Sequence, residues 1–408
     1  MKCRFCRTPL DRIFIDLGQQ PSANALVRSD QLYIREPEYL LKVFVCEKCL
    51  LVQIPKVRKA VDIFTCNYVY FSSYAKSWVE HAHRYVEKIT AQKNLGSKSF
   101  VVEIASNDGY LLQHFVDKDI PCLGVDPASN CAEAAREKGV DTLIDFFSAG
   151  LARRLCEEYG QADLLLGNNV FAHVPDLNDF AEGLSILLKP DGILTLEFPH
   201  LAKLIENNQF DTIYDEHFSY FSFHVVCNVL AKQGLKVFDV EELITHGGSL
   251  RIYACHILNS VPLTSKAVSA MIELEYKQGL GDLAGYTKIQ KNAETIRDEF
   301  ISLVEEEKAK GNRIAAFGAA AKGNTFLNFC KIDSSSIDFV VDDTPAKQGL
   351  FLPGSHIPIV DEQKIMDEKP DVILILPWNL RTEIIDKLAY ARGWGARFVT
   401  CIPEVVIH

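Results

Sequence analysis

Two Cys-x-x-Cys pairs, Cys3/Cys6 and Cys46/Cys49, constrain the fold of this chain more than any other feature. Each such turn presents two thiolates to one side, and two turns together close a tetrahedron. That is the four-thiolate shell of a structural zinc ion, with no coordination position left open. A segment stapled in this way needs no large core of its own, so the spacing predicts a discrete N-terminal module. The interval between the two pairs is longer than in a simple zinc ribbon and must hold inserted strands or a loop.

The other eight of the 12 cysteines (Cys66, Cys122, Cys131, Cys156, Cys227, Cys255, Cys330, Cys401) are scattered through mostly apolar stretches. They read as reduced, buried small residues of a cytoplasmic protein. Hydrophobic residues make up 48% of the 408, enough for full cores. No apolar run reaches the roughly 18 residues that a spanning helix needs, so no membrane association is expected. The first knuckle follows Met1 almost at once, and no cleavable leader is expected. Lys and Arg total 43 against 54 Asp and Glu, a net charge of −11 without a basic block. Nucleic acid is therefore disfavoured as a partner. A small anionic substrate stays open if helix N-termini or local cations receive it.

After an aromatic stretch around Tyr68–Tyr74, an amphipathic helix is predicted near Trp78–Ile89. Strands then alternate with helices: 99–104, 122–125, 142–144, 162–167 and 193–197, with helices near 110–117, 131–138, 149–159 and 177–188. That rhythm predicts an α/β fold with a doubly wound, mainly parallel sheet. The charged stretch 266–310 has helical period and should form one or two long helices. A second α/β rhythm follows, with strands at 313–317, 337–342, 372–375 and 397–400. The predicted domains are 1–75 (zinc-binding), 76–260 (Rossmann-like core) and 261–408 (a second Rossmann-like unit).

Seven segments carry chemistry. Val101-Val-Glu103-Ile-Ala105-Ser-Asn107-Asp108-Gly109 marks a strand-to-helix turn, and about twenty residues later the second strand ends at Asp126. Small residues such as Ala105, Asn107 and Gly109 let a ligand approach the backbone, and Asp126 is placed for ribose hydroxyls. The spacing fits a dinucleotide or S-adenosylmethionine. The Gly-x-Gly-x-x-Gly pattern of dinucleotide sites is absent, and Glu103 suits a methionine ammonium. Asp145 and Phe146, after the third strand, are placed to flank an adenine. Asn168, Asn169 and His173 follow the fourth strand at the same edge. Tyr214-Asp-Glu216-His217, with Tyr220, forms an acid/base and phenol cluster. His246-Gly-Gly248 precedes Arg251, a candidate phosphate ligand, and Gly318-Ala-Ala-Ala-Lys322-Gly-Asn324 opens a helix whose amides suit a pyrophosphate.

Taken in order, these motifs resemble the S-adenosylmethionine-dependent sugar C-methyltransferases, which act at C3 of nucleotide-linked 4-keto-6-deoxysugars. The resemblance runs from the cysteine pairs to Pro403-Glu-Val. It implies a zinc-binding module, a class I methyltransferase core, and a Rossmann-like C-terminal domain that helps hold a nucleotide diphosphate sugar. It also implies one structural zinc on Cys3, Cys6, Cys46 and Cys49, cofactor contacts at Glu103, Gly109 and Asp126, and His217 as general base beside Glu216 and Tyr214. A further active-site tyrosine falls on Tyr70, with Tyr68 in reserve. Ala105 departs from the usual glycine. The expected reaction is methyl transfer to C3 through an enolate, with Glu216 holding or polarising the imidazole and His173, His246, Arg251, Lys322 and Asn324 on the substrate side. Methylation of a hydroxyl or amine, or a non-catalytic zinc-ribbon scaffold, remains open at this stage. A nicotinamide-dependent oxidoreductase is disfavoured by the missing glycine pattern.

Overall fold

The computed structural model describes every residue except Lys56, Val57, Thr65, Asn67 and Val69. In the N-terminal module, β1 (Ile13–Pro21) pairs antiparallel with β2 (Glu38–Val45), which pairs with β3 (Val52–Gln53). Leu41, Val43 and Val45 are buried and alternate with less buried neighbours, the period of a half-covered strand. The sheet is not closed within the module. Its fourth strand, Ser219–Tyr220, comes from the middle of the chain and pairs antiparallel with β3.

The core sheet begins with β4 (Val101–Ile104), β5 (Cys122–Val125), β6 (Thr142–Leu143), β7 (Ala162–Asn168) and β8 (Leu188–Pro199). These strands run parallel, and β4 is buried along its whole length, as expected of a sheet covered on both faces. Ser219–Tyr220 is β9. The sheet closes with β10 (Leu235–Leu243) and β11 (Ser249–His256), and β11 inserts antiparallel between β8 and β10. The order β10-β11-β8-β7-β4-β5-β6 reverses direction at β4, where neighbouring strands lead to opposite sides. A crevice opens at such a reversal, outside the carboxyl ends of β4 and β7, and it is where ligands bind in sheets of this type. The helix Lys76–Lys93 covers one face through Trp78, Ala82, Tyr85, Val86 and Ile89, and ends on left-handed Asn94.

The stretch 266–310 forms two helices, Lys266–Lys277 and Ile289–Ala309. The first, just past the expected boundary at 261, packs against the core. Its Met271 sits in the core cluster, and its buried Glu275 accepts from His200 Nε2 (2.7 Å) and from His224 Nδ1 and backbone N–H (each 2.9 Å). Burial would raise the Glu275 carboxyl, but the two histidines hold it at about 2. An amphipathic period fixes that a stretch is helical; it does not fix which body the helix covers. The C-terminal sheet comprises β12 (Ile314–Phe317), β13 (Val340–Val341), β14 (Ile359–Val360), β15 (Val372–Ile375), β16 (Arg397–Thr400) and β17 (Val406–Ile407). Its order is β14-β13-β12-β15-β16-β17, and only β17 is antiparallel.

One apolar cluster joins all three parts. It runs from Phe14 and Val43 through Leu201, Phe210 and Phe218 to Phe300, Phe326 and Val340. Among the described residues no helix is long and apolar enough to cross a membrane.

Candidate active site

The two cysteine turns are built alike. Cys3 N–H donates to Thr8 and Arg7 N–H returns to Cys3; Cys46 N–H donates to Leu51 and Leu50 N–H returns to Cys46. Arg7 and Leu50 are left-handed, which turns the chain back after each pair. The four sulfurs lie within 4.8 Å of one another, with Cys3–Cys49 at 3.6 Å and Cys6–Cys46 at 3.4 Å. A zinc ion bonded at about 2.3 Å places tetrahedral sulfurs about 3.8 Å apart, so the donor set and spacing fit zinc. Four thiolates leave it no position for substrate, and its contribution is structural.

Parts of all three domains wall a cavity of about 390 Å³ outside the carboxyl ends of β4 and β7. On the core side the chain turns at Ala105 (φ 58°) and Asn107 (φ 49°), both left-handed. Asn107 ties the turn together: its N–H donates to Asp126 Oδ2 (2.9 Å), its Oδ1 accepts from Ser72 N–H (2.8 Å), and its Nδ2 donates to the Tyr70 carbonyl (3.1 Å). Asp126 also accepts from Ala128 N–H at 2.9 Å, and burial, opposed by these amides, pushes its carboxyl up to about 6. Glu103 is fully buried, and among the described residues neither carboxylate oxygen has a hydrogen-bond partner of ordinary geometry, although the Tyr110 phenol is close enough to favour its charged form. Burial drives its carboxyl well above the usual range, with Asp126 and Asp108 adding to the effect. Ala105, Asn107, Asp126, Asp145, Phe146 and Asn168 line the cavity. Asp145 caps the Phe146 amide and pairs with Arg154 at 3.3 Å; Asn168 donates to the Tyr110 hydroxyl at 3.2 Å.

Gly109 does not line the cavity. Its left-handed φ of 75° favours glycine, and a Cβ would press on Val140 and Ala135 at 3.1 and 3.2 Å. Its smallness serves helix packing rather than ligand approach, which corrects its expected cofactor contact.

The opposite wall carries His173, Tyr214, Glu216, His217 and His246, with Tyr68 and Tyr70 also lining the space. His217 Nδ1 donates to the Thr212 carbonyl at 2.8 Å. A carbonyl only accepts, so the proton is on Nδ1 and Nε2 carries the lone pair. Burial, with His173 nearby, holds the His217 imidazole well below its ordinary value and hence neutral. Its ring lies 4.0 Å from the Tyr214 ring and 4.7 Å from the His173 ring, centre to centre. Glu216 does not hold the imidazole as expected; Thr212 does. The Glu216 carboxylate instead accepts from Asn24 Nδ2 at 2.9 Å, and burial raises it to about 7. His246 is left-handed (φ 53°) and its Nε2 accepts from Asn169 Nδ2 at 3.0 Å.

From the C-terminal domain, Ala320, Ala321, Lys322 and Lys347 line the cavity where the helix Ala321–Cys330 begins. Lys322 Nζ donates to Asn379 Oδ1 at 3.1 Å and lies over Trp378. Gly318, at the turn before this helix, would drive a Cβ to 2.3 Å from Pro377. Asp342, at the end of β13, accepts from Ala319 N–H (2.8 Å), Thr344 N–H (2.9 Å) and Lys347 (3.2 Å). Asp342 and Pro377 thus close the Gly318–Ala319 side of the turn, while Ala320, Ala321 and Lys322 face the cavity.

Two expected substrate residues face elsewhere. Arg251 sits opposite Glu197 in the β11–β8 register, ion-paired with it and stacked over Tyr85 at 4.3 Å. Burial would raise Glu197, but His81 and Arg251 hold it below the usual carboxylate value. Arg251 therefore neutralises a buried acid rather than meeting a phosphate. Asn324 lies on the inward side of its helix, buried and away from the cavity. Asn24, Phe64, His200, Gln209 and Lys347 line the cavity without having been picked out from the sequence. Each lies in a segment with no motif of its own.

Three family models match the chain: a zinc binding domain over residues 3–64, a methyltransferase domain over 77–240, and a C-methyltransferase C-terminal domain over 244–403. The C-methyltransferase NovU of Streptomyces niveus is 35% identical over 403 residues, covering 99% of this chain and 96% of its own. The chain belongs to the S-adenosylmethionine-dependent C-methyltransferases. Two solved structures match a smaller part. A methyltransferase from Thermotoga maritima is 20% identical over 48% of this chain and 99% of its own (TM-score 0.35). Magnesium protoporphyrin IX methyltransferase of Synechocystis, solved with S-adenosylmethionine, is 15% identical over 44% and 79% (TM-score 0.34). The methyl donor of these C-methyltransferases has room at the cavity's core side, which Ala105, Asn107 and Asp126 line; Glu103 is buried behind that edge, two residues before Ala105, and is not itself part of the lining.

Cys49→Ser is expected to abolish stoichiometric zinc, read by elemental analysis, and to lower the unfolding midpoint by more than about 5 °C. Full zinc content in that variant would contradict the four-cysteine site. Arg251→Ala is expected to cost about 3 kcal/mol in denaturant unfolding, because buried Glu197 loses its permanent cation and keeps only His81 and Thr245 as partners. Unchanged stability with a raised KM for substrate would return Arg251 to substrate binding.

Proposed function

We propose that this C-methyltransferase methylates C3 of a nucleotide diphosphate 4-keto-6-deoxysugar through an enolate, with His217 as the base. The observation that carries the reading is the tautomer of His217: a neutral imidazole, anchored through Nδ1, with the Nε2 lone pair available in a cavity it shares with several phenols. A 4-keto group acidifies the neighbouring C–H bond. Nε2 takes that proton, and the bonding pair moves into an enolate. Tyr214 and Tyr70 are the donors proposed for its oxygen; burial keeps the Tyr214 phenol protonated. When bound, S-adenosylmethionine supplies a methyl group on a sulfonium, which a carbon nucleophile takes by in-line displacement.

On the donor side, Glu103 would meet the methionine ammonium, Asp126 the ribose hydroxyls, and Asp145 with Phe146 the adenine. His173 and His246 shape the sugar side. Lys322 and the amides at the start of the Ala321–Cys330 helix would receive the diphosphate, since a helix N-terminus and a cation both favour an anion. The C-terminal domain would thus serve the nucleotide sugar and the core the methyl donor. It matches the chain's membership of a C-methyltransferase family, because only carbon methylation needs a base that makes a carbanion.

The test is solvent exchange in D₂O with S-adenosylhomocysteine bound, using thymidine, guanosine and cytidine diphosphate 4-keto-6-deoxysugars. Deuterium is expected at C3 with the unaltered enzyme. In His217→Asn, exchange should fall at least about 100-fold, the usual worth of a positioned base, while S-adenosylmethionine binding is retained. A 4-keto group also acidifies C5. Exchange at C5 alone would keep the enolate and move the methylated carbon; undiminished exchange in His217→Asn would remove that residue from the base role.

A further inference from the structure

The proton-transfer loop is gripped by the zinc module on both sides of His217. Before it, Asn24 Nδ2 donates to Glu216 Oε1 (2.9 Å), Ala23 N–H donates to Asp215 Oδ1 (3.2 Å), and Arg58 Nη1 donates to Asp215 Oδ2 (3.0 Å) and Ser22 Oγ (2.7 Å). After it, Ile54 N–H donates to the Phe218 carbonyl (3.1 Å), and β3 pairs with β9. Arg4, beside zinc ligand Cys3, donates to the same Phe218 carbonyl and to Ile54, and its guanidinium lies over the Phe218 ring at 5.5 Å. The Asp215 and Glu216 carboxylates are nearly fully buried. Buried carboxylates left without partners are costly, so these contacts decide where the loop rests. The bond of His217 to Thr212 fixes the ring within the loop but not the loop within the cavity.

We propose that the zinc module is the positioning element of the proton-transfer loop, with Asn24 setting the Glu216 carboxylate in the cavity and Arg58 fixing the loop through Asp215. The inference rests on the enolate reading above. It gives a saturated, chemically silent zinc site a part in catalysis. The ion holds the cysteine turns, the turns hold the module, and the module holds the loop.

The test uses the full-length, zinc-loaded protein with the nucleotide 4-keto-6-deoxysugars above. Asn24→Ala, Arg58→Ala and Arg58→Lys are compared with the unaltered enzyme in exchange rate, in kcat and KM, in S-adenosylmethionine affinity and in zinc content. Asn24→Ala should slow exchange and kcat about ten-fold, the worth of one hydrogen bond to a carboxylate, with KM, cofactor affinity and zinc unchanged. Arg58→Ala should slow exchange more, and Arg58→Lys, which keeps the charge, should recover part of the loss. Unchanged exchange in both alanine variants would overturn the proposal. So would a KM effect alone for Asn24→Ala, which would make Asn24 a sugar ligand. Equal losses in Arg58→Lys and Arg58→Ala, together with loss of cofactor binding, would reduce Arg58 to a folding role and also overturn it. No exchange in the unaltered enzyme would instead overturn the enolate reading, and the positioning role with it.

Discussion

The antiparallel pairing of Val52–Gln53 with Ser219–Tyr220 is the joint on which this structure depends. A strand from the middle of the chain completes the sheet of the zinc module, so that module and the core share one layer. The loop carrying Tyr214, Glu216 and His217 leads directly into that strand. The same stretch contributes Phe210 and Phe218 to the apolar cluster that continues into the C-terminal domain. Three domains thereby close around one cavity, and none of them contains a complete site alone.

Burial sets the chemistry inside that cavity. Histidines are held neutral and phenols protonated, because charge is costly away from water. Neutral imidazole is the form that accepts a proton. Among the described residues Glu103 has no close hydrogen-bond partner, while Glu197 and Glu275, equally buried, are hydrogen-bonded by Arg251 and His81 and by His200 and His224 respectively. The acids with close partners hold the scaffold.

Much of this was legible in the sequence. The cysteine spacing fixes its own partners, because a four-thiolate shell needs nothing beyond the two turns. The strand–helix rhythm and the Glu103–Asp126 interval are local signals, and they located the sheet edge. What the sequence did not carry was pairing across distance. Arg251 looked like a phosphate ligand until strand register set it opposite Glu197, 54 residues away. Glu216 looked like the partner of its neighbour His217, but its carboxylate meets Asn24, 192 residues away. Gly109 is small for the sake of Ala135 and Val140, and Asn324 is on the buried side of its helix. Each depends on which element a residue packs against, which spacing alone does not determine.

The most direct test of the account is mass spectrometry of the product. The purified protein is incubated with S-adenosylmethionine and the thymidine, guanosine and cytidine diphosphate 4-keto-6-deoxysugars. The account predicts a gain of one methyl on the sugar with at least one of them, stable to acid treatment as a carbon-bound methyl must be. Cofactor binding without a gain on any of these sugars would contradict it and assign the cavity to a different carbon acceptor.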